Sequence, residues 1–204
     1  MTITLPTKEY EGYIFDCDGT LAHSMPAHYE AFKVALRRCG ASFDFSPEVF
    51  QSVAGMGHEA AVKIFNERFG VELEVEPFLK HKHEAYEQFV DTVEPIKPVV
   101  EFAKKMLSEG KAVAVASGGE RSAVLRTLDS IGLGGKIKVI VTQSDVSKGK
   151  PDPEMFFLAA KLLGINPKKC VVFEDSALGR QGAHDAGMDS IAIPVSVVKN
   201  PGDE

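Results

Sequence analysis

Apolar residues along this chain follow two rhythms. Short apolar runs at 13–15, 112–116, 137–141, 170–173 and 190–193 read as strands. Between the later runs, apolar positions recur every three or four residues. That spacing predicts helices over 98–109, 120–131, 153–163 and 177–186, closed by Gly110, Gly132, Gly164 and Gly187. The stretch 25–92 carries the helical rhythm alone. Pro26 opens a helix running to about Arg38, and Ser46-Pro47 starts a short second one. A third helix spans 58–69, and a fourth starts after Pro77 and runs to about Asp91. The prolines of Val93-Glu94-Pro95-Ile96-Lys97-Pro98 break helix and read as a hinge.

Strands that are apolar throughout and separated by helices predict an α/β fold, with a parallel sheet covered by helices on both faces. Residues 1–24 and 93–204 would form this Rossmann-like core, and 25–92 an inserted all-helical subdomain.

Hydrophobic residues at 44% and charged residues at 25% are ordinary for a globular protein. Lys+Arg 23 against Asp+Glu 29 gives net −6, which disfavours nucleic acid or an anionic membrane as partner. Cys17, Cys39 and Cys170 lack C-x-x-C spacing, so reduced thiols in a cytoplasmic setting are expected. No signal peptide or membrane span is read. Nothing demands a partner chain, so a monomer is the default expectation.

In parallel sheets the ligand crevice lies beyond the carboxyl ends of the strands. Those ends carry Asp16 and Asp18, then Ser117, then Lys148 and Lys150 in the following loop, then Glu174 and Asp175. Asp16 and Asp18 leave their strand two apart and face one site. Two like charges this close need compensation, and Mg²⁺ with oxygen ligands supplies it. Acids, a metal, a hydroxyl and a lysine suit phosphoryl transfer, where catalysis is positioning and charge neutralisation. Asp16 would be the nucleophile and Asp18 the acid and base, with its pKa raised for the first task. Asp16, Glu174 and Asp175 would hold the metal. Lys150 would neutralise charge, and Ser117 and the Gly118 amide would grip phosphoryl oxygens.

Asp16-Cys17-Asp18-Gly19-Thr20, Ser117, Lys150-Pro151-Asp152-Pro153 and Glu174-Asp175-Ser176 resemble, in order, the four motifs of the haloacid dehalogenase-like hydrolases. The insert resembles the small helical cap of the β-phosphoglucomutase-like branch. The stretch 170–194 looks most like sugar-phosphate phosphatases of the fructose-1-phosphate type. The resemblance implies Mg²⁺, an aspartyl-phosphate on Asp16, and a metal contact from the Asp18 main-chain carbonyl. It implies a small phosphorylated metabolite as substrate, contacted by His28, Gly55, His58, Gly118 and Gly119. Mutases of this branch carry a lysine and an arginine in the cap loop, where Ala54 and His58 stand here. That favours simple hydrolysis of a sugar or polyol monophosphate over a mutase. A receiver-like phospho-switch is the non-enzymatic alternative, and Asp18 separates it from an enzyme. Lys80, His81, Lys82 and His83 are expected to form a solvated helix face, and Cys17 to lie in the core.

Overall fold

The computed structural model describes residues 3–194. The chain opens with β1 (Gly12–Phe15) and β2 (Ala22–His23). It passes through α1 (Met25–Arg38), α2 (Pro47–Val53), α3 (His58–Phe69) and α4 (Val75–Phe89), and returns at β3 (Glu94–Pro95). It then alternates α5 (Lys97–Ser108), β4 (Ala112–Ala116), α6 (Arg121–Ser130), β5 (Val139–Val141), α7 (Glu154–Leu163), β6 (Cys170–Glu174), α8 (Ala177–Asp185) and β7 (Asp189–Ala192).

Five strands form one sheet in the order β5-β4-β1-β6-β7, and every pairing is parallel. The fold is α/β and Rossmann-like. Side chains alternate through the sheet with period two. Tyr13, Phe15, Val113, Val115, Val171 and Phe173 enter one hydrophobic cluster, with Val99 and Val100 of α5 and Val124 and Leu128 of α6. Ile14, Ala114, Ala116 and Val172 enter the opposite cluster, with Met155 and Phe156 of α7 and Ala183 of α8. Both faces are buried, which is why these strands read as unbroken apolar runs.

The helices between β2 and β3 have an aromatic core of their own, including Phe32, Phe50, Phe65 and Phe78. They are also tied to the sheet. Ala27 and Ala31 of α1 and Ala85 and Tyr86 of α4 belong to the cluster beneath β1 and β4. The outgoing and returning chains run side by side. Ala22 pairs with Pro95 and His23 with Glu94, antiparallel, and Ile96 N donates to Leu21 O at 2.8 Å. The proline-rich stretch read as a hinge therefore contains a short strand.

Most element boundaries differ from the sequence reading by a residue or two, and three of them show why. Ile137 and Lys138 lie outside β5, although Ile137 is buried, because apolar packing does not require ladder pairing. The last strand begins one residue earlier than expected, at Asp189. Helix α4 begins at Val75, since proline is tolerated in a first turn.

The expected solvated face at 80–83 fails at Lys82. Lys80 is exposed, but Lys82 is 2% exposed. Phe78, Lys82 and Tyr86 stand four apart and so share one face of α4, and that face is packed.

Candidate active site

Strand β1 lies between β4 and β6, and the chain leaves it in one direction for β4 and crosses to the other side for β6. This is the topological switch point at which parallel sheets open a crevice. A cavity of about 530 Å³ occupies it, floored by the sheet and walled by α1, the α2–α3 loop and α4.

Asp16 and Asp18 line its floor with Ser117, Gly118 and Gly119 after β4. Lys150, Glu174 and Asp175 complete the floor. His28, Gly55 and His58 reach it from the helical insert. Every residue given a catalytic, substrate-binding or metal-binding role from the sequence thus lines one cavity. Lys148 does not: its ammonium is largely exposed and lies 3.8 Å from Asp152. Arg121 is also outside, paired with Asp145 at 2.9 Å.

Lys150 is buried and donates to Asp16 Oδ1 and Glu174 Oε2, both at 2.7 Å. Burial opposes its charge, but the two carboxylates outweigh burial and hold the ammonium above its ordinary range. Glu174 Oε1 accepts from Ser176 N at 3.1 Å and Ser176 Oγ at 2.7 Å. Both Glu174 oxygens are therefore occupied. Asp16 keeps Oδ2 without a protein hydrogen bond among the described residues.

Asp16, Glu174 and Asp175 bring carboxylate oxygens within 4.8 Å of one another. One ammonium faces three buried carboxylates. Burial, then Glu174, raises Asp16 well above the usual carboxylate range. The same two causes push Asp175 up to about 7. An oxygen-only donor set with surplus negative charge fits a hard divalent cation such as Mg²⁺.

Gly19 shapes this cluster. Its φ of +85° is left-handed, and a Cβ there would lie 2.3 Å from Asp175 Oδ2. Only glycine lets the acidic turn lie this close to the Asp175 carboxylate.

Asp18 is held differently. Its Oδ1 takes Ser24 Oγ at 2.6 Å and His28 Nε2 at 2.9 Å, leaving Oδ2 open. Burial works to raise its pKa, but His28, Ser24 and Lys82 outweigh burial and hold it below the usual carboxylate range. The sequence reading expected a raised pKa. The crowding that would raise it falls on Asp16 and Asp175 instead, because the neighbours of Asp18 are donors and a cation. Burial and Lys82 lower the pKa of His28, so its ring is neutral near pH 7 and Nε2 carries the proton given to Asp18.

Ser117 is buried, and its Oγ accepts from Gly119 N at 3.1 Å, which leaves the hydroxyl proton free to donate. The Gly119 amide is thereby used. No side chain or backbone stands within 4 Å of a Cβ added at Gly118, so its backbone faces open space.

Sequence reasoning missed Lys82 and Arg180, which also line the cavity. Burial lowers Lys82 to about 8, with Asp18 and Glu120 opposing the shift. Its spacing of four from Phe78 and Tyr86 was the available signal. Arg180 Nη1 donates to the Asp175 carbonyl oxygen. His58 is pushed down to about 3 by burial, Lys82 and His28, so it supplies no positive charge.

The chain is 30% identical over 187 residues to fructose-1-phosphate phosphatase YqaB of Escherichia coli, covering 91% of this chain and 97% of that protein. It is 28% identical over 185 residues to a phosphorylated carbohydrates phosphatase of Thermotoga maritima, covering 89% and 83%. Among solved structures, a putative β-phosphoglucomutase from Thermotoga maritima superposes with a TM-score of 0.70 at 27% identity, covering 94% of this chain and 88% of that one. A family model described as haloacid dehalogenase-like hydrolase matches residues 13–193, nearly the whole described chain, and the protein belongs to that family.

Proposed function

We propose that this protein is a divalent-cation-dependent phosphatase of small phosphorylated carbohydrates, working through a phosphorylated Asp16. The observation that carries the reading is the division of labour between two carboxylates in one cavity. Asp16 has one oxygen pinned by Lys150 and one open. Asp18 has one oxygen pinned by Ser24 and His28 and one open. The names of the two phosphatase relatives support carbohydrate phosphates as the substrate class.

In the first step Asp16 Oδ2 attacks phosphorus and the bond to the leaving oxygen breaks. Asp18 Oδ2 gives its proton to that oxygen. In the second step water attacks the acyl-phosphate, Asp18 takes a proton, and inorganic phosphate leaves with Asp16 restored. A phosphoryl dianion beside Asp18 raises its pKa by like-charge repulsion, which supplies the proton this carboxyl lacks in the free site. Lys150 balances the nucleophile, and Ser117 Oγ with the Gly118 amide donates to phosphoryl oxygens. Mg²⁺ would be held by Asp16, Asp175 and the Asp18 carbonyl, next to Glu174, and would supply positive charge against the phosphoryl oxygens. Glu174 acts chiefly by holding Lys150.

The insert over 25–92 serves as the cap, with His28, His58 and Lys82 facing the substrate and the α2–α3 loop around Gly55 at the mouth. His58 is neutral where mutases of this branch carry a fixed cation in the cap loop, which favours hydrolysis over the mutase reaction and leaves Lys82 and Arg180 as the cations lining the cavity besides Lys150. The three cysteines are free, which suits a reducing cytoplasm. No helix among the described residues is long and apolar enough to cross a membrane.

The test is phosphate release from a panel of sugar monophosphates with Mg²⁺. Hydrolysis should vanish in Asp16→Asn, and Asp16→Asn at near wild-type rate would falsify the assignment. Asp18→Asn separates an enzyme, which stops turning over, from a phospho-switch, which still accepts phosphate. A mutase would isomerise substrate when a sugar bisphosphate is added, instead of releasing phosphate.

A further inference from the structure

Tyr86 of α4 is fully buried, and its ring lies flat on the His28 ring, with centroids 4.3 Å apart and planes 10° apart. Its hydroxyl reaches out of the insert to Thr127 Oγ1 on α6, at 2.7 Å. Thr127 Oγ1 donates to the Ala123 carbonyl at 2.9 Å. A hydroxyl has one proton, so Thr127 accepts and Tyr86 donates. The Tyr86 ring is thereby fixed at its tip by α6 and covers His28 with its face. His28 in turn holds Asp18 Oδ1.

We infer that Tyr86 is a positioning residue for Asp18, acting through His28, and that Thr127 makes this positioning depend on α4 being seated against α6. The inference rests on the proposed hydrolysis. The terminal torsion of a histidine side chain has broad minima, so a hydrogen bond at one nitrogen does not fix the ring plane. A stacked aromatic face does, and favours an offset parallel arrangement. With the ring plane fixed, Asp18 Oδ1 stays occupied and Oδ2 keeps its aim into the cavity. The exposed pairs of Arg126 with Glu87 at 3.0 Å and Asp91 at 3.5 Å lie along the same junction. Exposed pairs of this kind contribute little, so the buried hydroxyl bond is the specific link.

The readout is leaving-group dependence. An alkoxide must be protonated as it departs, whereas p-nitrophenolate leaves without a proton. The ratio kcat/KM covers only steps up to departure of the leaving group, so later reaction of water with phospho-Asp16 does not enter. Wild type, Asp18→Asn, Tyr86→Leu, Tyr86→Phe and Thr127→Val are assayed with Mg²⁺ on glycerol 2-phosphate and p-nitrophenyl phosphate, and Asp18→Asn, which does not turn over, is read by single-turnover release of glycerol or p-nitrophenol. A general acid contributes about 10²–10⁴-fold. Tyr86→Leu should lose about 10²-fold on glycerol 2-phosphate and less than about 3-fold on p-nitrophenyl phosphate. Tyr86→Phe and Thr127→Val keep the stacked ring and should show the same bias at about 3- to 10-fold. Their double variant should lose no more than either alone, because both remove one bond.

Equal losses on the two esters, or unchanged kinetics in Tyr86→Leu, overturn the inference. Should Tyr86→Leu not fold, the two hydroxyl variants decide it, and multiplying losses in their combination overturn it. Asp18→Asn separates the two levels. If it is strongly biased and Tyr86→Leu is not, the positioning role fails and the hydrolysis reading stands. If it shows no bias, or wild type releases phosphate neither from these esters nor from the sugar monophosphate panel, both fail.

Discussion

Replacing Lys150 with methionine removes the one ammonium from the acidic cluster while nearly conserving volume. Lys150 touches Asp16 and Glu174 at 2.7 Å each, and its side chain is only 5% exposed. At an effective dielectric of about 20, each contact carries about 6 kcal/mol of Coulomb attraction. The full sum is not lost, because Asp16 escapes part of the penalty by taking up a proton. Breaking a buried pair by removing one partner costs about 3–5 kcal/mol, and that is the expected loss at pH 7.

The chain has no tryptophan, so urea unfolding is followed by far-UV circular dichroism, in EDTA to keep metal out. The pH dependence has a definite sign. Asp16 and Asp175 are raised in the folded state, so between the unfolded carboxylate pKa and the folded one the native protein binds more protons. Stability therefore falls as pH rises through that window, which for Asp175 ends near 7. Without Lys150, Asp16 rises further, so the variant gains more on acidification and its deficit narrows toward pH 5. A loss below about 1 kcal/mol at pH 7, as for an exposed pair, would refute the reasoning. A deficit that widens on acidification would do so too.

Lys82→Met should stabilise the protein by about 1–3 kcal/mol at pH 7, because a buried ammonium is removed, and should raise KM for sugar phosphates. The lysine is lowered from 10.5 to about 8, so wild type recovers stability as pH rises from 8 toward 10.5 and the variant's advantage shrinks. Matched thermal melts at pH 7 and 9.5 check this, and a destabilised variant would contradict it. Gly179→Ala places a Cβ 2.2 Å from Glu174 Oε2 and must move that carboxylate off Lys150. The expected result is a loss in kcat of about 10²-fold with helical content retained, and wild-type kcat would count against it. Adding Mg²⁺ to metal-free protein should raise Tm, and more at pH 8 than at pH 5.5, because proton release from Asp16 and Asp175 accompanies binding. An equal shift at both pH values in calorimetry would argue against binding at these carboxylates.

Much of this protein was legible residue by residue. The central strands β1, β4 and β6 are short apolar runs because both sheet faces are covered, and a left-handed glycine follows α1, α3, α5, α6, α7 and α8. Asp16, Asp18, Ser117, Lys150, Glu174 and Asp175 could be placed on one sheet edge because a parallel sheet sends every strand end the same way. Short-range chemistry carries such information: a run of four or five residues states its own burial, and a D-x-D turn states its own charge. Lys82 was not legible in this way. A lysine between two histidines looks solvated, and only the packing of α4 against both the insert and the sheet turned its face inward. The low pKa of Asp18 was equally hidden, since His28 and Lys82 reach it from an insert whose docking angle no local pattern encodes, and Ser24 stands where the chain enters that insert. The sequence alone determined which groups carry the chemistry and on which edge they stand. The tertiary structure decided their protonation, their free oxygens and the link from Asp18 through His28 and Tyr86 to Thr127. Those properties depend on distances between elements far apart in the chain, and long-range packing sets such distances.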